Sequence, residues 1–328
     1  MVIEKNRLIL LVNFGGPRQL QEVPVFLKAL LTDQDVVRTN FPKLLHNLLF
    51  SRVARKRSVK VAKDYELIGG KSPIFEDTER VAAYLREKKG LSVATFHRYL
   101  PATHAAFIQA MQTVESEIYV FPMFPQFSFA TTGSIARWFS KHLSTDVVNQ
   151  MKWIKSYAAH PTFISAWQNV IRAFLQQQQL KEEEVILLFS AHGLPKQFSA
   201  TGDIYEAECQ LSFEKVAKGF PKAFCRLSYQ SKFGKGEWLR PYTNEVCEEI
   251  LSWSGKYKHV VIVPISFTSD HIETLFEVEY EYLPALRKEG VMAYRCPALN
   301  HDDSWMAAIL EILEDTNLMS TQMLVRKG

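Results

Sequence analysis

The chain has 328 residues, room for about two domains at roughly 100–200 residues each, and its 47 % hydrophobic and 23 % charged composition excludes a disordered chain. A formal net charge of +4 is mildly basic and by itself selects no class of partner. Four scattered cysteines, Cys209, Cys225, Cys247 and Cys296, form no C-x-x-C pair, so neither a zinc site nor a disulfide framework is indicated.

No apolar run reaches the roughly 18–20 residues that span a bilayer. The run after Arg7 is interrupted at Asn13 and Gly15, too early for a signal peptide. The expectation is a cytoplasmic protein, at most attached to a membrane surface.

Leu8 to Val12 is a buried strand that breaks into Asn13-Phe14-Gly15-Gly16-Pro17. The segment Phe41 to Tyr65 begins with Leu44, Leu45, Leu48, Leu49 and Phe50 and continues with Arg52, Arg55, Lys56, Arg57, Lys60 and Lys63. It admits two readings, a core helix running into a solvated face or an amphipathic element resting on a membrane, and the first is the commoner arrangement. Gly70-Lys71-Ser72 resembles the end of a phosphate loop, but the glycine required five positions earlier is Tyr65. Helices are predicted over 77–89, 104–114, 161–178, 206–218 and 302–314.

Three further apolar runs end like the first. Ile118 to Phe121 runs into Pro122, Val185 to Phe189 into Ser190-Ala191-His192-Gly193-Leu194-Pro195, and Val260 to Val263 into Pro264. The repeated pattern predicts two similar α/β halves, each a parallel sheet with helices on both faces. The boundaries read as 1–148 for the first half and 149–299 for the second, with 300–328 packing back on the first.

Function in open parallel sheets sits at the carboxyl ends of strands. After Val263, Asp270, Glu273, Glu277 and Glu281 fall on one helical stripe. One reading is a capping box from Asp270 to Glu273 followed by a solvated face, and the other is a track for cations beside His271. His192 stands at the mouth of another strand. A lone histidine is usually structural, yet this one is well placed for proton or metal work. Phe14, Phe121, Phe124, Phe127, Phe129, Phe267 and Trp238 make the strand ends and one loop aromatic enough for a flat apolar ligand. No G-x-G-x-x-G or G-x-S-x-G motif is present.

The residues resemble the ferrochelatases, which insert ferrous iron into a porphyrin. The resemblance rests on Leu11 to Pro17, Tyr65 to Ile74, Arg98-Tyr99, and Phe124 to Ser128 with Thr131-Thr132-Gly133. It continues through Phe189 to Pro195, Tyr229 to Gly234 with Trp238-Leu239, and Pro264 to Leu275. It implies a chelatase-like fold of two doubly wound domains, each with a parallel four-stranded sheet flanked by helices, and a porphyrin cleft between them. It further implies that His192 and Glu273 are catalytic and metal-binding and face each other across that cleft. Asp270, His271 and Glu277 would accompany them as outer ligands or an iron track, and Asn13, Phe14, Arg98, Tyr99, Phe124, Trp238 and Phe267 would bind porphyrin.

On this resemblance the expected substrates are Fe2+ and protoporphyrin IX, giving protohaem and two protons. The alternatives are coproporphyrin III as substrate, or a porphyrin or haem carrier without turnover. Relatives with a [2Fe–2S] cluster use cysteines in a C-terminal extension and one where Phe129 stands here. The tail from Thr316 has no cysteine, so no cluster and no cofactor beyond the substrate iron are expected. The other expectations are a monomer with no nucleic-acid partner and no firm membrane anchor.

Overall fold

The structure is a computed structural model that describes residues 7–234, 236–314 and 317–326. The first six residues, read above as no signal peptide, lie outside the described residues. Nine strands occur among the described residues: β1 (Leu8–Asn13), β2 (Ser92–His97), β3 (Ile118–Pro122), β4 (Met151–Ile154), β5 (Val185–His192), β6 (Phe224–Gln230), β7 (His259–Val263), β8 (Met292–Arg295) and β9 (Leu318–Met319). They form two sheets, ordered β2-β1-β3-β4-β9 and β6-β5-β7-β8, in two separate units.

Each sheet has four parallel strands, as the repeated strand endings predict, and both follow the same order, second-first-third-fourth. Ile9 to Val12, Val185 to Phe189 and Val260 to Val263 are each fully shielded, because helices cover both faces of a parallel sheet and leave no polar side for alternation. The first sheet adds a short fifth strand, β9, antiparallel to β4.

The halves divide differently from the sequence reading. The first unit runs to Ser156 and takes back the chain from Leu313, and the second is Tyr157–Ile312. Residues 149–156 stay with the first unit because β4 pairs with β3, Ile118 opposite Met151. The helix Asp303–Ile312, expected to pack on the first half, instead packs against Pro161–Gln177 within the second unit. Only the tail beyond it returns, where Trp153 Nε1 donates to Thr321 Oγ1 at 2.9 Å.

The predicted helices appear within a few residues of their expected limits. Ile74–Lys89 ends at Gly90, which adopts φ +64°, a left-handed cap that glycine reaches without strain. Pro161–Gln177 starts with proline at its first position, where the missing N–H costs no hydrogen bond. The 25-residue helix Lys43–Leu67 departs from the core-helix reading. Phe41, Leu44, Leu45, Leu48 and Leu49 are exposed, Leu44 by 83 %, with Arg52, Arg55 and Lys56 exposed in the following turns. No helix among the described residues is long and apolar enough to cross a membrane.

Candidate active site

In the second sheet the connections leave β5 in opposite directions, so β5 and β7 flank the switch point where open α/β sheets place their ligands. His192 is the last residue of β5, and Glu273 begins the segment that follows β7. Their side chains meet, with His192 Nε2 3.5 Å from Glu273 Oε1. Each stays about a third exposed, at 32 % and 30 %. Both belong to one unit, so the pair is built by a single sheet.

The histidine is held from several directions. Its backbone N–H donates to Ser266 Oγ at 2.9 Å, and its carbonyl accepts from the Tyr205 hydroxyl at 3.0 Å. Nδ1–H donates to the Gly193 carbonyl at 2.5 Å, since a carbonyl only accepts. That bond fixes the tautomer and leaves Nε2 as the working nitrogen. Gly193 is required by space, because an added Cβ would lie 2.7 Å from the Gln230 carbonyl oxygen. Trp238 closes that side, with a ring carbon 3.4 Å from the same point.

Glu273 is shared by two imidazoles, His192 on Oε1 and His271 on Oε2 at 3.2 Å. Phe267 packs near both rings, its centroid 6.3 Å from that of His192 and 4.6 Å from that of His271. Burial opposes the charge on His192, but the Glu273 carboxylate beside it, helped by Glu277 and the Gly193 carbonyl, raises its pKa to about 9. Burial likewise opposes the charge on Glu273, and His192 and His271 outweigh it, holding the carboxyl far below the usual range. Near neutral pH the resting pair is therefore imidazolium and carboxylate.

Glu273 to Tyr282 wind as a wide π-helix, a form that recurs at functional sites. The capping box expected from Asp270 to Glu273 does not form. The Asp270 backbone N–H donates to Asn300 Oδ1 at 2.7 Å, while the Glu273 carboxylate turns to the histidines. Asp270 is also no open station for cations. Its Oδ1 accepts from Arg295 at 2.9 Å and Thr274 at 2.7 Å, and its Oδ2 from Asn300 at 2.9 Å. These bonds tie the start of the π-helix to the end of β8.

Glu277 is similarly enclosed by the Ser231 N–H at 2.8 Å, the Ser231 hydroxyl at 2.5 Å, Gln230 Nε2 at 3.2 Å and the Tyr282 hydroxyl. Burial and the nearby Glu273 charge raise its pKa, against those donors. Glu281 is exposed, so the expected stripe is not one continuous surface. Among the described residues no three His, Cys, Asp or Glu side chains converge on a ready-made metal site. His192 and Glu273 are the partly open donors of the cluster.

The first unit holds the other candidates at the ends of β1 to β3. Phe14 and Phe124 are half-buried, and Phe14 meets Tyr99 edge-on at 4.5 Å. Asn13, Arg98 and Tyr99 are committed within the fold. Asn13 donates to Thr78 Oγ1 at 2.9 Å and accepts from the Phe14 N–H at 2.7 Å. Arg98 and Tyr99 both donate to Asp33 Oδ2, at 2.6 and 2.9 Å, and Ser134 donates to the same oxygen at 2.5 Å. Tyr99 is 1 % exposed, and its hydroxyl pKa lies well above the usual value because burial and the Asp33 charge disfavour the phenolate. Sequence reading missed Asp33, which lies 65 residues from its arginine and carries no local pattern.

Two sheets wound in the same order, with a histidine and a glutamate meeting at a switch point, define a chelatase-like α/β protein. The chain belongs to the ferrochelatase family, whose sequence profile matches residues 7–317. It is 44 % identical over 307 residues to a ferrochelatase of Chlamydia trachomatis serovar A, covering 94 % of this chain and 95 % of that one. A ferrochelatase of Chlamydia abortus is 42 % identical over 318 residues, covering 97 % and 98 %. The fold is shared with SirB from Bacillus subtilis, at TM-score 0.53 and 12 % identity over 98 % of this chain and 100 % of that one. It is shared also with CbiX, the terminal enzyme for biosynthesis of sirohaem in denitrifying bacteria, at TM-score 0.50 and 14 % identity over 93 % and 97 %.

The pairing carries a pH signature. Because the His192 pKa is raised from the ordinary 6.5 to about 9, its contribution to stability is full below 6.5 and is lost as pH climbs through about 9. The depressed Glu273 pKa adds stability above the ordinary 4.5 that is lost as acid protonates the carboxylate. Glu273→Gln should bring the His192 midpoint, read by NMR of the imidazole, down toward 6.5. A midpoint still at about 9 would show that Glu273 is not its cause.

Proposed function

We propose that this chain inserts Fe2+ into protoporphyrin IX, forming protohaem and releasing two protons. The observation that carries the reading is the partly exposed His192–Glu273 pair at the switch point, with Nε2 turned outward by the Gly193 carbonyl. Metal insertion requires both pyrrole N–H protons to leave as the ring nitrogens bind iron. It therefore needs a base and a negative group that receives the cation.

The raised His192 pKa makes the order of events matter. In the resting pair Nε2 already holds a proton, so it cannot accept another. Approach of Fe2+ to Glu273 offsets the charge that holds this proton and releases it. The neutral imidazole then presents its Nε2 lone pair to a pyrrole N–H, while Nδ1 stays bonded to Gly193. Iron passes from the carboxylate to the ring nitrogens, and Glu273 recovers its charge and draws one pyrrole proton onto His192. The second pyrrole proton leaves to solvent, as did the imidazolium proton at the start, so each cycle releases two protons and restores the resting pair. Ferrous iron is suited to this mixed oxygen and nitrogen environment. Phe267 and Trp238 supply flat apolar surface beside the pair.

Protoporphyrin IX is favoured over coproporphyrin III, whose four carboxylates ask more of basic side chains, because Arg98 is already bonded to Asp33 and Ser134. Arg52 and Arg55 are exposed on the turns of Lys43–Leu67 that follow its exposed leucines. We propose that the ridge of Leu44, Leu45, Leu48 and Leu49 rests on an anionic membrane, with the following basic turns at the headgroups.

Anaerobic incubation with Fe2+ and either porphyrin, followed by the change from free-base to metalloporphyrin absorbance, tests the activity. Protoporphyrin IX should turn over faster, and His192→Ala and Glu273→Gln should each fall close to background with porphyrin binding retained. Full activity in either variant would reject that residue's role, faster turnover of coproporphyrin III would replace the substrate, and binding without turnover would make the chain a carrier.

Co-sedimentation with vesicles tests the membrane contact. Binding should require anionic lipid and be lost in Leu44→Ser/Leu48→Ser with soluble turnover unchanged. Equal sedimentation of both proteins, or self-association of the parent through this ridge, would contradict it.

A further inference from the structure

One residue touches both arms of the pair. Gln230 ends β6 directly opposite His192 in the parallel register, and it is 1 % exposed. On the His192 side, its backbone carbonyl accepts the Gly193 N–H at 2.8 Å, and its side-chain Oε1 accepts the Ser190 hydroxyl at 2.7 Å. On the Glu273 side, its Nε2 donates to the backbone carbonyl of Glu273 at 2.7 Å and to Glu277 Oε2 at 3.2 Å. The main chain of Gly193 lies so close that a Cβ would meet the Gln230 carbonyl oxygen at 2.7 Å, so a displacement of Gln230 is passed directly to the residue after His192.

We infer that Gln230 is a positioning residue that sets the separation and orientation of His192 and Glu273, an inference that rests on the chelatase reading above. The chemistry explains why this position takes an amide. It needs an acceptor toward Ser190 and donors toward a carbonyl and a carboxylate, and an uncharged amide supplies both at once. The amide orientation follows from the same network, because the flipped form would set its oxygen against the Glu273 carbonyl and the Glu277 carboxylate. An ionised glutamate would offer acceptors alone. Methionine fills similar space and offers no comparable bond. Gln230 reaches no ring nitrogen and need not touch the substrate, so its loss acts on the rate through the geometry of the pair.

The test compares steady-state turnover in the parent, Gln230→Glu, Gln230→Met and Ser190→Ala, with folding followed by circular dichroism. Both Gln230 variants should lose about 10-fold or more in kcat, the loss expected when buried polar partners are left unpaired, with the porphyrin KM within about threefold. Ser190→Ala, which frees the amide while leaving Gln230 in place, should lose kcat by a smaller factor of roughly 2–5 with the same KM, as for one neutral hydrogen bond. Should the Gln230 variants fail to fold, Ser190→Ala decides. Unchanged kcat in Ser190→Ala, parent-like kcat in folded Gln230 variants, or a loss confined to KM would each overturn the inference. Failure of the parent itself to metallate porphyrin would instead overturn the chelatase reading on which it rests.

Discussion

The His192–Glu273 charge pair arises because two neighbouring parallel strands end side by side while their connections turn away from each other. β5 delivers the imidazole and β7 delivers the segment that begins with the carboxylate. Strand ends at a switch point are the part of a doubly wound sheet not covered by a crossover helix, so two polar side chains can meet there with solvent still in reach. The core behind them, from Ile186 and Leu188 on β5 to Val260 and Ile262 on β7, is fully shielded and fixes the spacing of the strands that carry them.

Around the pair, the enclosed carboxylates Asp270 and Glu277 are each held by their own donors, and this separates chemistry from support. Asp270 is held by Arg295, Thr274 and Asn300, and Glu277 by Ser231, Gln230 and Tyr282. A buried carboxylate with its acceptors filled fixes the backbone around it. Glu273 differs because its partners are two imidazoles, whose charge depends on protonation. The site is therefore adjustable at Glu273 and fixed around it.

Much of this was legible in the sequence because parallel strands buried on both faces leave unbroken apolar runs, and the small or polar residues that follow mark their ends. The resemblance set His192 and Glu273, 81 residues apart in sequence, facing each other across a cleft between the domains, whereas their side chains meet directly at 3.5 Å on one sheet of one unit. The π-helix was not legible: an ordinary helix, at about 100° per residue, aligns these carboxylates in one row, and the wider winding breaks it, leaving Glu281 exposed and Glu277 enclosed. Asp270 mimicked a capping box because its spacing to Glu273 matches one, while its actual partners, Arg295 and Asn300, are 25 and 30 residues away. The leucines of Lys43–Leu67 admit two readings for a related reason. An apolar stripe looks the same whether it faces a core or the outside.

The central claim is that His192 and Glu273 act as one unit, the carboxylate governing when the imidazole can take a proton. Single-turnover metallation by His192→Ala, Glu273→Gln and the combined variant tests it most directly, since residues that act together are strongly non-additive. The combined variant should be no slower than the slower of the two single variants. A combined loss equal to the product of the two single losses would mean that the residues work independently, and would contradict the account.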